Sequence, residues 1–127
     1  MNILYLHGLE SKLSDVKRVV LEQFGNVIAP DMDYRCNPQM YDFLLKTYKH
    51  ESIDCIIGSS MGGFMSYYLA IKLNIPALLF NPALPIRSLN QVVPLDLQPK
   101  VNLRFSIVLG SQDETVPAVA NLKYFSE

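Results

Sequence analysis

Ile53-Asp54-Cys55-Ile56-Ile57-Gly58-Ser59-Ser60-Met61-Gly62-Gly63 is the stretch on which the reading of this chain turns. An apolar run with the composition of a buried strand leads straight into a Gly-x-Ser-x-Gly pentapeptide. The residues that follow, 61–73, read as a helix, with Met61, Phe64, Met65 and Tyr68 in a helical stripe that suits the core. A serine between a strand and a helix can sit on a sharp turn with its hydroxyl exposed. Gly58 and Gly62 fit that turn, because side chains there would run into the helix and the neighbouring strand. Met61 follows the serine, so its backbone N–H lies at a helix N-terminus, where developing negative charge is stabilised. Ser60 is therefore the candidate nucleophile; the competing role for a serine at this position is to cap the helix.

Outward from this point, short apolar runs alternate with longer amphipathic ones. Residues 2–6, 26–29, 53–57, 77–80 and 104–109 read as strands rich in Ile, Val, Leu and Phe. Residues 14–24 carry Val16, Val19, Val20 and Phe24 at helical spacing, and 38–50 carry Met40, Phe43, Leu44 and Tyr48. A last helix is expected at 117–125, with Pro117 in its favoured first turn. Continuous apolar strands separated by helices imply an α/β fold with a parallel sheet of about five strands covered on both faces. Segment 81–101 has no clear period and holds four of the eight prolines, so it reads as a long loop over the site.

The totals narrow the function classes. A chain of 127 residues forms a single domain with a sizeable core. With a net charge of −1 and no basic stripe, no nucleic acid partner is expected. No apolar run approaches the ~20 residues of a membrane helix, and the N-terminal run is too short for a signal peptide, so no membrane association is expected. Cys36 and Cys55 lack zinc-site spacing and read as free thiols of a cytoplasmic protein. Asp31 and Asp33 have no third ligand at useful spacing and read as solvated loop acids, so no metal is expected.

Ligands of open parallel sheets bind at the carboxyl ends of the strands. Three polar motifs fall there: His7-Gly8-Leu9 after the first strand, Ser60 after the third, and Asp113 after the fifth. Gly8 would let the backbone turn tightly, so that the Leu9 N–H joins that of Met61 as an oxyanion donor. Asp113 could orient a histidine or, alternatively, cap the helix from Pro117; Glu114 is the fallback acid. Glu10 and Asn81 are candidate substrate contacts, and Arg87 falls in the same set of loops.

Tyr5-Leu6-His7-Gly8-Leu9-Glu10-Ser11, Gly58-Ser59-Ser60-Met61-Gly62-Gly63, Asn81-Pro82-Ala83 and Gly110-Ser111-Gln112-Asp113 together resemble the signature set of the small bacterial YqiA-like esterases, which are α/β-hydrolases. The resemblance implies a three-layer α/β/α hydrolase-type fold with strand order 2-1-3-4-5. It implies Ser60 as nucleophile, Asp113 as triad acid, Leu9 and Met61 as oxyanion donors, and His7 and Gly8 as the oxyanion loop. The substrates implied are small carboxylic esters or thioesters, with no cofactor.

One departure stands out. In this fold the base histidine follows a further strand beyond the acid. The chain has only His7 and His50; His50 ends a helix at the far end of the sheet, where five strand residues at ~3.3 Å put it roughly 15 Å from Ser60. The expectation is a C-terminally truncated hydrolase, weak or inactive as it stands, whose open sheet edge favours a homodimer. The rival expectation is a non-catalytic hydrolase-like protein that binds a small ligand or a protein partner.

Overall fold

A computed structural model describes residues 1–110 and 118–126. The elements are β1 (Asn2–Leu6), α1 (Asp15–Glu22), β2 (Asn26–Ile28), α2 (Met40–Tyr48), β3 (Cys55–Ser59), α3 (Met61–Leu73), β4 (Ala77–Phe80), β5 (Phe105–Val108) and α4 (Ala118–Ser126). All strand pairs are parallel, as the apolar runs imply, and the sheet order is β2-β1-β3-β4-β5, the order implied by the resemblance. Every strand therefore ends on the same side of the molecule, and the turns after β1, β3 and β4 meet there.

Alternation along the strands divides the core in two. Leu4, Leu6 and Ile56 face α2 and α3, where they pack with Leu44, Phe64 and Leu69. Ile3, Tyr5 and Ile57 face the other way, toward Leu21 of α1. On the α3 side, Tyr67 stacks at 5.0 Å on Phe105 of β5 and meets Phe125 of α4 edge-on at 6.2 Å, so α4 belongs to that layer too. Three helices thus cover one face and α1 the other, giving three layers.

α1 begins as its sequence dictates: Ser14 accepts a hydrogen bond from the Lys17 N–H at 3.3 Å, and Asp15 lies in the first turn, where the helix dipole favours it. Its apolar stripe has a different fate from the one its spacing implies. Val16, Val19, Val20 and Phe24 remain 50–77% exposed, and no residue of α1 is fully buried. Contact with the sheet falls to Leu21 and to Leu13 just before the helix, leaving an apolar cavity of about 240 Å³ between Val16, Val20, Tyr5 and Phe80. At the sheet margin β5 has one partner, β4, among the described residues, and Val108 on its α1 side is 47% exposed.

β3 starts two residues later than its apolar run suggests. The Ile53 N–H is held by the Glu51 carbonyl in a turn at 3.1 Å, although its side chain is buried. At the other end, Gly58 and Ser59 pair with Leu6 and with Leu79 and Phe80, carrying the strand up to Ser60.

Two substitutions test this division. Leu69→Ala, at a fully buried site on α3, should lower the unfolding free energy by about 3 kcal/mol in urea titration. Val19→Ala, on the exposed face of α1, should change it by less than about 0.5 kcal/mol.

Candidate active site

Ser60 stands between β3 and α3 with φ 55° and ψ −113°, a left-handed conformation that costs a non-glycine residue roughly 1–3 kcal/mol. Its backbone is held from both sides. The N–H donates to the Phe80 carbonyl at 3.0 Å; the carbonyl accepts from Phe64 of α3 at 3.0 Å and from Ala83 at 2.9 Å. The side chain makes no capping hydrogen bond to the helix. Ser60 is thus a strained turn residue whose hydroxyl has no partner among the described residues, and the helix-cap role falls away.

The flanking glycines explain why the turn can be this tight. A Cβ on Gly58 would collide with the Gly62 carbonyl and the Ser66 hydroxyl. One on Gly62 would collide with the Leu6 and His7 carbonyls, so α3 starts in direct backbone contact with the end of β1. Met61 is the first residue of α3, and its N–H has no intrahelical acceptor. Among the described residues, neither the Met61 nor the Leu9 N–H has a hydrogen-bond partner.

The turn after β1 lies against Ser60: a Cβ on Gly8 would stand 3.5 Å from the Ser60 Cβ. Gly8 does not take a left-handed conformation; the tight turn comes two residues later, at Glu10, with φ 55°. His7 is 3% exposed with both ring nitrogens engaged. Nε2 accepts the Met32 N–H at 2.8 Å, so the proton sits on Nδ1, which donates to the Gly8 carbonyl at 2.6 Å. This imidazole is structural and has no free nitrogen for a serine proton. His50 is exposed in the turn after α2, at the opposite end of β3 from Ser60.

Asn81 ends β4 in a left-handed conformation, φ 42°, and its side chain serves the neighbouring strand. Its N–H donates to the Val108 carbonyl at 2.8 Å, and its Oδ1 accepts from the Gly110 N–H at 2.6 Å. The exit of β5 is thereby fastened beside β4, at the start of the segment containing Asp113 and Glu114. Those two residues, with Pro117, lie outside the described residues.

Glu10 forms an exposed ion pair with Arg35 at 2.6 Å, across the mouth of a cleft of about 330 Å³ that includes Leu9, Met32 and Tyr34. Arg87 is spent on local structure. It donates to the Ala83 and Leu84 carbonyls at 2.9 and 2.6 Å, with its guanidinium 4.2 Å above the Phe64 ring. Asp33 is tied up by Cys36, whose hydrogen bonds, side chain first and then backbone, hold the carboxyl below its usual range.

Two residues had no sequence signal of their own. Tyr34 is 1% exposed and its hydroxyl donates to the His7 carbonyl at 2.7 Å; burial, first, and the neighbouring Tyr5 push its phenol far above the ordinary range. Gln91 is buried within the long loop and donates to the Tyr34 carbonyl at 2.8 Å. An aromatic inside the polar run Asp31-Met32-Asp33-Tyr34-Arg35 is the only hint that the sequence offers.

Fold and site together define a parallel α/β protein with a serine on a strained strand-to-helix turn. The chain belongs to an uncharacterised protein family, UPF0227, whose model matches residues 2–102. That span includes Ser60, the His7–Glu10 turn and Asn81, and stops short of β5. A search of the curated proteins finds no match.

Stability measurements separate a strained turn from a helix cap. Ser60→Gly should raise the unfolding free energy by about 1 kcal/mol, because glycine adopts φ 55° freely, and Ser60→Ala should leave it nearly unchanged. A loss of about 1 kcal/mol on Ser60→Ala in urea titration would restore the capping role.

Proposed function

We propose that this chain carries the nucleophile and oxyanion site of a serine hydrolase of the α/β-hydrolase type, acting on small carboxylic esters or thioesters. The observation that carries the proposal is the Ser60 backbone: a strained conformation held by three hydrogen bonds, with the hydroxyl bonded to none of the described residues. Strain of this kind persists where the surroundings over-determine it, and nucleophile sites are one such place.

In the proposed reaction Ser60 Oγ attacks the ester carbonyl and its proton leaves to a base. The carbonyl oxygen, now negative, is taken by the Leu9 and Met61 N–H groups, the second reinforced by the N-terminus of α3. Collapse expels the alcohol or thiol, and water then releases the acid by the reverse sequence. No cofactor enters. Asp113 would orient the base, and the Asn81–Gly110 hydrogen bond would aim the segment that carries it. Glu10 and Asn81 border the substrate path; Asn81 acts there through the backbone it holds.

Neither histidine of this sequence is placed to act as that base. His7 has both nitrogens bonded and His50 lies at the wrong end of β3. An imidazole from elsewhere must take the Ser60 proton. Free thiols at Cys36 and Cys55 fit a reducing, cytoplasmic setting, and no described helix is long and apolar enough to cross a membrane. The β5 edge is where a second copy would pair, which would make the protein a homodimer.

A second reading is favoured by the commitment of His7: a hydrolase-like protein that binds a small ligand or a protein partner in this cleft without turnover.

Chemical rescue distinguishes the two. Hydrolysis of p-nitrophenyl acetate should be slow alone and rise about tenfold with added imidazole, over and above the imidazole-only rate. Ser60→Ala should abolish that excess. An excess that survives in Ser60→Ala, or none in the wild type, would favour binding without turnover.

A further inference from the structure

Segment 81–101 contains no helix or strand, yet part of it is sewn firmly to the rest of the molecule. Gln91 is 8% exposed, and all its polar reach is used on backbone. Its Nε2 donates to the Tyr34 carbonyl at 2.8 Å and to the Asn37 carbonyl at 3.1 Å. Its Oε1 accepts from the N–H of Met40, the first residue of α2, at 3.3 Å, where Gln39 provides no side-chain cap. Beside it the Val92 N–H donates to the Pro38 carbonyl at 2.8 Å.

A buried amide persists only where its partners are satisfied. An apolar residue of the same size would fill the space at position 91 and leave two carbonyls and an N–H without partners. Glutamine is therefore explained by what it holds: the loop between β2 and α2.

Tyr34, held by Gln91 through its backbone, in turn holds β1. Its hydroxyl donates to the His7 carbonyl at 2.7 Å, and its ring meets the His7 ring edge-on at 5.8 Å. The His7 ring bridges the Met32 N–H and the Gly8 carbonyl, and Gly8 rests against Ser60. A continuous series of buried contacts thus runs from the long segment to the turn above the serine.

We propose that Tyr34 and Gln91 are positioning residues for the oxyanion turn: Gln91 fixes the Tyr34 backbone, and the Tyr34 hydroxyl fixes the His7 carbonyl, so that the Leu9 N–H stays aimed at the space above Ser60. The proposal rests on the serine-hydrolase reading of Ser60 and adds that segment 81–101 acts on the site through Gln91. Neither residue touches substrate. Loss of either contact lets the Gly8–Leu9 turn move while the nucleophile stays where its own strand and helix hold it.

The test uses Tyr34→Phe, which keeps the ring and removes only the hydroxyl, with Gln91→Met as the second variant. Two readouts are taken: residue-resolved amide hydrogen exchange, and labelling of Ser60 by a fluorophosphonate in the presence of imidazole. In both variants the Met32 amide, which donates to the His7 ring, should exchange about tenfold faster, with Ile56 and Ile57 in β3 unchanged. The maximal labelling rate should fall about tenfold, with half-saturation within about twofold of wild type. Unchanged exchange at Met32, or an unchanged labelling rate, overturns the proposal. Exchange that rises equally in β3 overturns it too, because that is general destabilisation. A wild-type protein that takes no label overturns the hydrolase reading and with it the catalytic meaning of these residues, whereas exchange alone still decides whether they hold the turn. If Gln91→Met does not fold, Tyr34→Phe decides by the same criteria.

Discussion

The arrangement depends on how closely α3 approaches the ends of β1 and β3. Gly62 brings the first turn of the helix against the Leu6 and His7 carbonyls, and Gly58 brings β3 against the Gly62 carbonyl. With strand and helix this near, the residue between them has little backbone freedom, and Ser60 is left at φ 55°. The hydrogen bonds to Phe80, Phe64 and Ala83 then fix it in all directions except that of its hydroxyl. The strain at Ser60, its uncapped side chain and a Met61 N–H without a partner among the described residues all follow from one packing constraint. The two glycines are required for closeness, since neither adopts a positive φ.

Much of this was legible in the chain itself. Apolar runs separated by amphipathic ones carry the parallel sheet, because strands buried on both faces must be apolar throughout. Gly58, Ser60 and Gly62 announce the turn because a close approach leaves few residue choices. Other features were hidden for physical reasons. Helical spacing of Val16, Val19 and Val20 reports that α1 has an apolar side, but not that the sheet would leave this side exposed. Ile53 extends the apolar run of β3 because it is buried, although its backbone belongs to a turn. Tyr34 and Gln91 lie in loops without a period, and the hydrogen bond between them joins residues 57 positions apart. Only the folded chain shows such a pair.

The placement of the histidines divides structure from chemistry. His7 looks like a catalytic residue by position, but its two ring nitrogens hold Met32 and Gly8, and its value lies in fixing the tautomer and the turn. Asn81, a candidate substrate contact by its position, also fastens Gly110. Both cases follow one rule: a polar side chain at the carboxyl ends of parallel strands can shape the site by holding backbone. What remains without a partner around Ser60, among the described residues, is its hydroxyl and the N–H groups of Leu9 and Met61, the parts that the proposed reaction needs.

The central claim is that the Leu9 and Met61 N–H groups form an oxyanion hole over Ser60. It is tested most directly by a crystal structure of the protein after reaction with a small alkyl fluorophosphonate. The account predicts phosphorus bonded to Ser60 Oγ, with the phosphoryl oxygen about 2.7–3.1 Å from both nitrogens. An adduct on another residue, or a phosphoryl oxygen turned to solvent away from Leu9 and Met61, would contradict it.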